Sequence, residues 1–177
     1  MRQHFILTAS GQDRPGVLEE FTELLLEYGG NIEASRMAHL GRAFAFLMLV
    51  SAPSEQVAEL RAAVAALRKG EFLVQTLPTE VEENQRATRH RPCGITVTGA
   101  DNLGILRDIA RFLASVDVDL ETLNTEIMSA PMSKTPLFAL TAVVTVPEAL
   151  GLEELRAGVA KLAAKLNVEA AVLDYGA

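Results

Sequence analysis

"GQDRPGVLEEFTELLLEYGGNIE" (residues 11–33) lies without a gap over "GADNLGILRDIARFLASVDVDLE" (residues 99–121) when the chain is shifted by 88 positions. Gly11, Asp13, Gly16, Leu18, Leu25 and Glu33 fall on Gly99, Asp101, Gly104, Leu106, Leu113 and Glu121. At a shift of 94, "FAFLMLVSAP" (44–53) lies over "FALTAVVTVP" (138–147), and at 95 "LRAAVAAL" (60–67) lies over "LRAGVAKL" (155–162). A repeat of this length is a duplicated domain, not a solenoid unit. The added residues fall in "SAPMSKTP" (129–136), read as a loop between two strands. The copies are expected at 1–77 and 93–177, joined by the polar, proline-bounded linker "PTEVEENQRATRHRP" (78–92).

Each copy is predicted to run βαββαβ. In the first helix Val17, Leu18, Phe21, Leu24, Leu25 and Tyr28 form one stripe. In its partner Ile105, Leu106, Ile109, Phe112, Leu113 and Val116 form the same stripe. That spacing is one face of an amphipathic helix. Gly29 and Gly30 follow the first helix and tolerate the positive φ of a helix end. Strands are expected at 3–10, 31–40, 43–51 and 71–77, then at 93–99, 118–129, 136–146 and 167–174; second helices are expected near 54–69 and 150–165. Two such units give an α+β fold of two ferredoxin-like sandwiches in tandem, with helices on one face of each sheet. In 44–50 both alternating sets, Phe44/Phe46/Met48/Val50 and Ala45/Leu47/Leu49, are apolar. A solvated sheet face is ordinarily polar. The sister domain or another chain is therefore expected over the second face, unless this one strand is apolar without consequence.

The chain has 177 residues, 49% of them apolar, which suits packed cores and argues against disorder. The start "MRQHFILTAS" reads as a strand and not as a leader, and no apolar run reaches membrane-spanning length. The single cysteine, Cys93, forms no internal disulfide and fits a cytoplasmic location. It aligns with Phe5 and is read as a core-facing strand residue. The net charge is −7, with 7 basic and 9 acidic residues in 1–77 and 6 basic and 11 acidic in 93–177. DNA binding draws on neutralised phosphates, so direct DNA binding is not expected. His4, His39 and His90 show no metal or triad spacing, and no nucleophile–base pair can be assembled; neither catalysis, nor a metal, nor a cofactor is expected. Glu82, Glu83, Arg86, Arg89 and Arg91 read as a solvated linker.

The loop Gly11–Gly16 joins the first strand to the first helix. Pro15 suits a first helical turn and Asp13 can cap it. Unpaired N–H groups at a helix start can hold an anion such as a carboxylate. Two readings of Gly16 stand: a bare backbone that admits a ligand, or a helix cap that relieves crowding. Asn31, at the start of the second strand, can donate and accept toward an ammonium-carboxylate ligand, or serve only as a turn residue.

"DRPGVL…GGNIEASRMAHLG…FAFLMLV" resembles the ACT domain, a βαββαβ module that binds amino acids; "DNLGIL…VDLETLNTEI…FALTAVV" is a second, more divergent copy. The layout of two such modules resembles the glycine cleavage system transcriptional repressor group. The resemblance implies a regulatory protein that senses a small amino acid, glycine among the candidates, and acts on a protein partner; the homodimer is expected from the doubly apolar strand 44–50. It implies a ligand held by the loop and by the start of strand two of a facing module. Carried over, that points to Gly11, Asp13, Gly16 and Asn31, and in copy two to Gly99, Asp101, Asn102 and Gly104. Asp119 stands where copy one has Asn31, and Asn102-Leu103 replaces Arg14-Pro15. A carboxylate at 119 repels a ligand carboxylate, so the second copy is expected to differ in binding. A module that assembles without any ligand is the alternative.

Overall fold

In β1 (Arg2–Gln12), Phe5, Leu7 and Ala9 are buried while Ile6 and Thr8 between them are partly exposed. That two-residue period makes a strand with one face on a core. The structure, a computed structural model, describes residues 1–67, 70–80, 90–129 and 136–176. The chain continues through α1 (Val17–Glu27), β2 (Asn31–Leu40), β3 (Ala43–Pro53), α2 (Val57–Ala66) and β4 (Phe72–Thr79). The second module follows as β5 (His90–Ala100), α3 (Ile105–Ser115), β6 (Asp119–Ser129), β7 (Pro136–Pro147), α4 (Leu152–Leu166) and β8 (Val168–Asp174). The sheets are ordered β2-β3-β1-β4 and β6-β7-β5-β8, every pairing antiparallel. The fold is α+β, βαββαβ twice. The chain divides into two units, Met1–Glu83 and Asn84–Ala177. β4 and β5 enter the stretch read as linker from either side; Glu82, Glu83, Arg86 and Arg89 lie outside the described residues, as does most of the 129–136 loop.

Each core lies between one sheet face and two helices. In the first module Val17, Phe21 and Leu25 of α1 pack with Val57, Leu60 and Val64 of α2 over Phe46, Met48 and Val50. Phe21 meets Phe46 edge-on at 4.9 Å between ring centroids and tilts against Phe72 at 5.6 Å. A buried phenylalanine contributes about 1.5–3 kcal/mol from its apolar area alone. The second module builds the same layer from aliphatic residues: Ile109 takes the place of Phe21, and Cys93 takes the place of Phe5, fully buried. Burial pushes the Cys93 thiol pKa up, so it is a core residue and a poor nucleophile.

The duplication extends to backbone irregularities. β2 is bulged between Ile32 and Ala34, and β6 at the matching place between Leu120 and Thr122. A bulge puts one extra residue opposite the partner strand and re-aims it; here the extra residue is Glu33 in one module and Glu121 in the other. α1 ends at Gly29 in the left-handed conformation, φ 64°, with the Gly30 N–H on the Leu25 carbonyl at 2.7 Å. Asp117 occupies that position after α3 at φ 56°. Aspartate is among the few side chains that accept this region.

Candidate functional site

The loop at the end of β1 turns on a left-handed glycine. Gly16 has φ 87° and ψ −6°; Gly104 has φ 92° and ψ 1°. Both are helix N-caps, so the helices begin at Val17 and Ile105, and Pro15 stands before the first helix and not in its first turn. A Cβ on Gly16 meets nothing nearer than Glu19 Oε2 at 3.9 Å. The demand for glycine there is conformational, since a side chain at this φ costs about 1–2 kcal/mol. Gly11 has a different cause. A Cβ there would sit 2.6 Å from Phe72 Cδ1 and 2.8 Å from the Glu71 carbonyl. At Gly99 the intruder is Val168, at 2.6 Å. Strand β4, or β8, starts against these glycines.

Asp13 does not cap α1, contrary to the sequence reading. No side chain caps either α1 or α3. Its N–H instead donates to the Arg42 carbonyl at 2.9 Å, and its carboxylate lies 3.2 Å from His39 Nε2. The reason is geometric: with Gly16 as N-cap, Asp13 stands before the turn and is drawn to the β2–β3 hairpin. The Asp101 N–H repeats the backbone bond, to the Pro136 carbonyl at 3.3 Å. Ile127 stands in the place of His39, so the side-chain pair is confined to the first module.

Arg14 organises the first loop. Its guanidinium donates twice to the Glu20 carboxylate, at 2.8 and 3.0 Å, reaches Glu71 at 3.5 Å, and lies 5.6 Å from the Phe72 ring centre. The Glu20 hydrogen bond and charge hold the Arg14 pKa above its ordinary value. The second loop has Asn102 and a fully exposed Leu103 instead, and Arg107 pairs locally with Asp108 at 2.7 Å. Glu19 and Glu20 put negative charge in the first turn of α1. That charge opposes an anion at the same N–H groups, and Arg14 offsets it at Glu20.

Asn31 is exposed at the far end of the module. It pairs in register with Ser51, whereas Gly11 pairs with Phe44. Ser51 and Phe44 are separated by the length of β3, about 23 Å at 3.3 Å per residue. Asp119, opposite Thr145, is placed likewise relative to Gly99, opposite Phe138. The structure thus gathers Gly11, Asp13 and Gly16 at one end of a module, and Gly99, Asp101, Asn102 and Gly104 at one end of the other. It does not bring Asn31 to the loop of its own module.

A polar cluster at the Asn31 end escaped the sequence reading. Ser51 is 1% exposed, a buried polar residue on the side of the sheet that carries His4. Its hydroxyl accepts from Arg2 Nε at 3.1 Å, and Arg2 also donates to the Gly29 carbonyl at 3.0 Å. The bulged Glu33 takes hydrogen bonds from Ser51 and then His4, 3.2 Å away, which hold its carboxylate pKa below the usual range. The matching Glu121 is bonded by Thr145 Oγ1. The repeated glutamate was visible in the sequence; its partners depend on register and bulge, which were not. Among the described residues no group of three or more His, Cys, Asp or Glu is placed to hold a metal, and no helix is long and apolar enough to cross a membrane.

Residues 3–73 match the model of the ACT domain. The first module matches the ACT domain, and the second repeats its topology and turn geometry, so the chain carries an ACT-like fold twice. Fifty residues are 48% identical to the glycine cleavage system transcriptional repressor of Escherichia coli (strain K12), and likewise to that of Shigella flexneri. The match covers 28% of this chain and 26% of each relative, so it spans about a quarter of the length of those curated proteins. A crystal structure of an unknown protein from Galdieria sulphuraria is 26% identical, with a TM-score of 0.85 over 98% of this chain and 99% of that one. The structure of a proposed glycine cleavage system transcriptional repressor is 24% identical, with a TM-score of 0.73 over 100% and 99%; at that identity it supports the fold alone.

Proposed function

We propose that this protein is a non-catalytic regulator that senses a small amino acid through its ACT modules and modulates a protein partner in transcriptional control of glycine cleavage. The observation that carries the reading is the ACT match over 3–73, which includes the whole Gly11–Gly16 loop and Asn31. The similarity to the named repressors makes glycine the first ligand to try. The ligand carboxylate takes the N–H groups at the start of α1, beside Gly11 and Gly16. Asp13 faces its ammonium group, and Asn31 of a facing ACT module bridges the two. The 23 Å between Asn31 and its own loop is why a facing module is required. Gly99, Asp101, Asn102 and Gly104 form the second, altered version. Its Asp119 is negative and Arg14 has no counterpart, so the first module is the principal sensor. Ligand binding changes the partner contact only by preferring one arrangement of modules over another. Transcriptional control acts through the protein partner and not through direct DNA contact, given the charge of −7.

A second reading is favoured by one observation. Gly11, Gly16, Gly99 and Gly104 each have a cause within their own module. The loops are then turns, and the modules assemble without a small ligand. Titration calorimetry with the twenty amino acids separates the two. Saturable heat from one or a few of them, lost in a variant with Asp13→Ala, fits the sensor. Silence from all twenty leaves the assembly module.

A further inference from the structure

We propose that the open face of the first sheet, the face away from α1 and α2, is where a second copy of this chain docks, by a two-fold axis running parallel to the strands. This inference stands apart from the ligand reading. The face is apolar, and no element of the first module covers it: Leu47 is 47% exposed, Leu73 79% and Leu77 66%, with Ile6 and Leu49 between them. Arg2, His4 and Glu33 form a polar rim at one end. An exposed apolar patch with a polar rim marks an interaction surface.

Side-chain size and charge name the occupant. Across the sheet, Ala34 lies in register with Leu49, Leu49 with Ile6, and Ile6 with Leu77. The next row on this face is Arg36, Leu47, Thr8 and Gln75. The outer strand β4 therefore carries large side chains, and the outer strand β2 carries alanines flanking Arg36. A two-fold parallel to the strands lays β2 of one copy over β4 of the other at the same level. Ala34 then faces Leu77, Leu49 faces Ile6, and Arg36 faces Gln75 rather than another arginine. Large meets small, and the cation meets an amide oxygen. Among the described residues Arg36 donates to the carbonyl of its neighbour Ser35, at 2.9 Å, a bond within its own strand.

The area is sufficient. Strands β1 and β4 pair over eight residues in a sheet of four strands. At about 3.4 Å per residue and 4.8 Å per strand, each copy offers about 500 Å². Two copies bury about 1,000 Å², the threshold of a specific interface. Sheets stack in this way with strands aligned to about 30°.

The second module is built against the same contact. Its corresponding face presents Thr141 for Leu47 and Asn124 for Arg36. Glu126 and Glu169 lie in one row, so the same axis would stack carboxylate on carboxylate. Gly94 stands for Ile6, and the Tyr175 ring of this same chain already lies over it.

The test is the mass of the full chain by sedimentation velocity. Twice the chain mass is expected for the parent. Leu47→Lys is expected to raise the dimer dissociation constant roughly tenfold or more, as loss of a central interface anchor does. Gln75→Arg, opposite Arg36, weakens the dimer several-fold, and Gln75→Glu tightens it. Thr141→Lys on the second face changes nothing. Thermal melts show that each variant is folded, and all three positions face away from the cores. A parent that remains monomeric at high concentration overturns the proposal. So does a dimer indifferent to Leu47→Lys, or one that responds alike to Gln75→Arg and Gln75→Glu.

Discussion

Ile6 of the first module stands on an open sheet face between Leu49 and Leu77; the corresponding Gly94 of the second lies under Tyr175 between Val143 and Leu173, with Thr96 and Thr141 in the next row. The backbones around them are the same, down to the bulge at Glu33 and Glu121 and the left-handed glycine before each first helix. Two copies of one fold have kept what the backbone requires and separated in what their surfaces offer. The first loop is drawn together by Arg14 and carries a His39–Asp13 pair; the second has neither.

That division can be broken by substitution in matched pairs. The largest effects belong to the cores. Phe21→Ala removes a ring that packs on Phe46 and Phe72, and is expected to cost about 3–5 kcal/mol. Ile109→Ala, its counterpart, removes less and is expected to cost about 2–4 kcal/mol. Denaturant unfolding with a probe in each module checks the order; a larger loss at Ile109 would mean that the aromatic cluster is not the main stabiliser of the first core.

Smaller and equal effects belong to the paired turns. Gly16→Ala and Gly104→Ala force an alanine into φ near 90° and are each expected to cost about 1–2 kcal/mol. Thermal melts of both variants measure it. A loss at Gly104 alone would sharpen the comparison the other way and give the Gly16 turn some slack that the second lacks.

The smallest effect is a pH dependence. Ser51, then His4, hold the Glu33 carboxylate pKa below its ordinary value. A group depressed in the folded state adds stability above its unfolded pKa and loses it as pH falls through the folded one. The first module therefore weakens in acid, below the ordinary carboxylate range. Ser51→Ala removes the leading cause and is expected to raise the Glu33 pKa and flatten that part of the profile. Carboxyl chemical shifts followed by NMR across pH 2–6, a span of the order in which carboxylates titrate, read it directly; an unmoved Glu33 would assign the depression to His4.

The repeat made most of the fold legible. Helical stripes at Phe21 and Ile109 and alternation through Phe44–Val50 placed the elements, because burial on one face imposes a period that needs no partner to be read. The doubly apolar strand was legible too, as a face in want of cover. The place of the loop between β1 and α1 is legible, but its spacing suggests an Asp13 cap that the structure does not have, because the left-handed turn at Gly16 is a backbone angle and leaves no mark on spacing. The Arg2–Ser51–Glu33–His4 cluster was missed for a related reason. Its members come from three strands, and one bulge decides that Glu33 turns toward Ser51. Scattered histidines acquire partners only once register is known.

Sensing by the first module is the central claim, and Asn31 tests it most directly. Asn31 is exposed, so its replacement leaves the core intact. Calorimetric titration of Asn31→Ala and Asp119→Ala with the amino acid that binds the parent, beginning with glycine, compares the modules at one matched position. Asn31→Ala is expected to lose on the order of 1–3 kcal/mol of binding, as when a buried polar partner is left unpaired, while Asp119→Ala loses little. Undiminished binding by a folded Asn31→Ala, or equal losses at both positions, would contradict it.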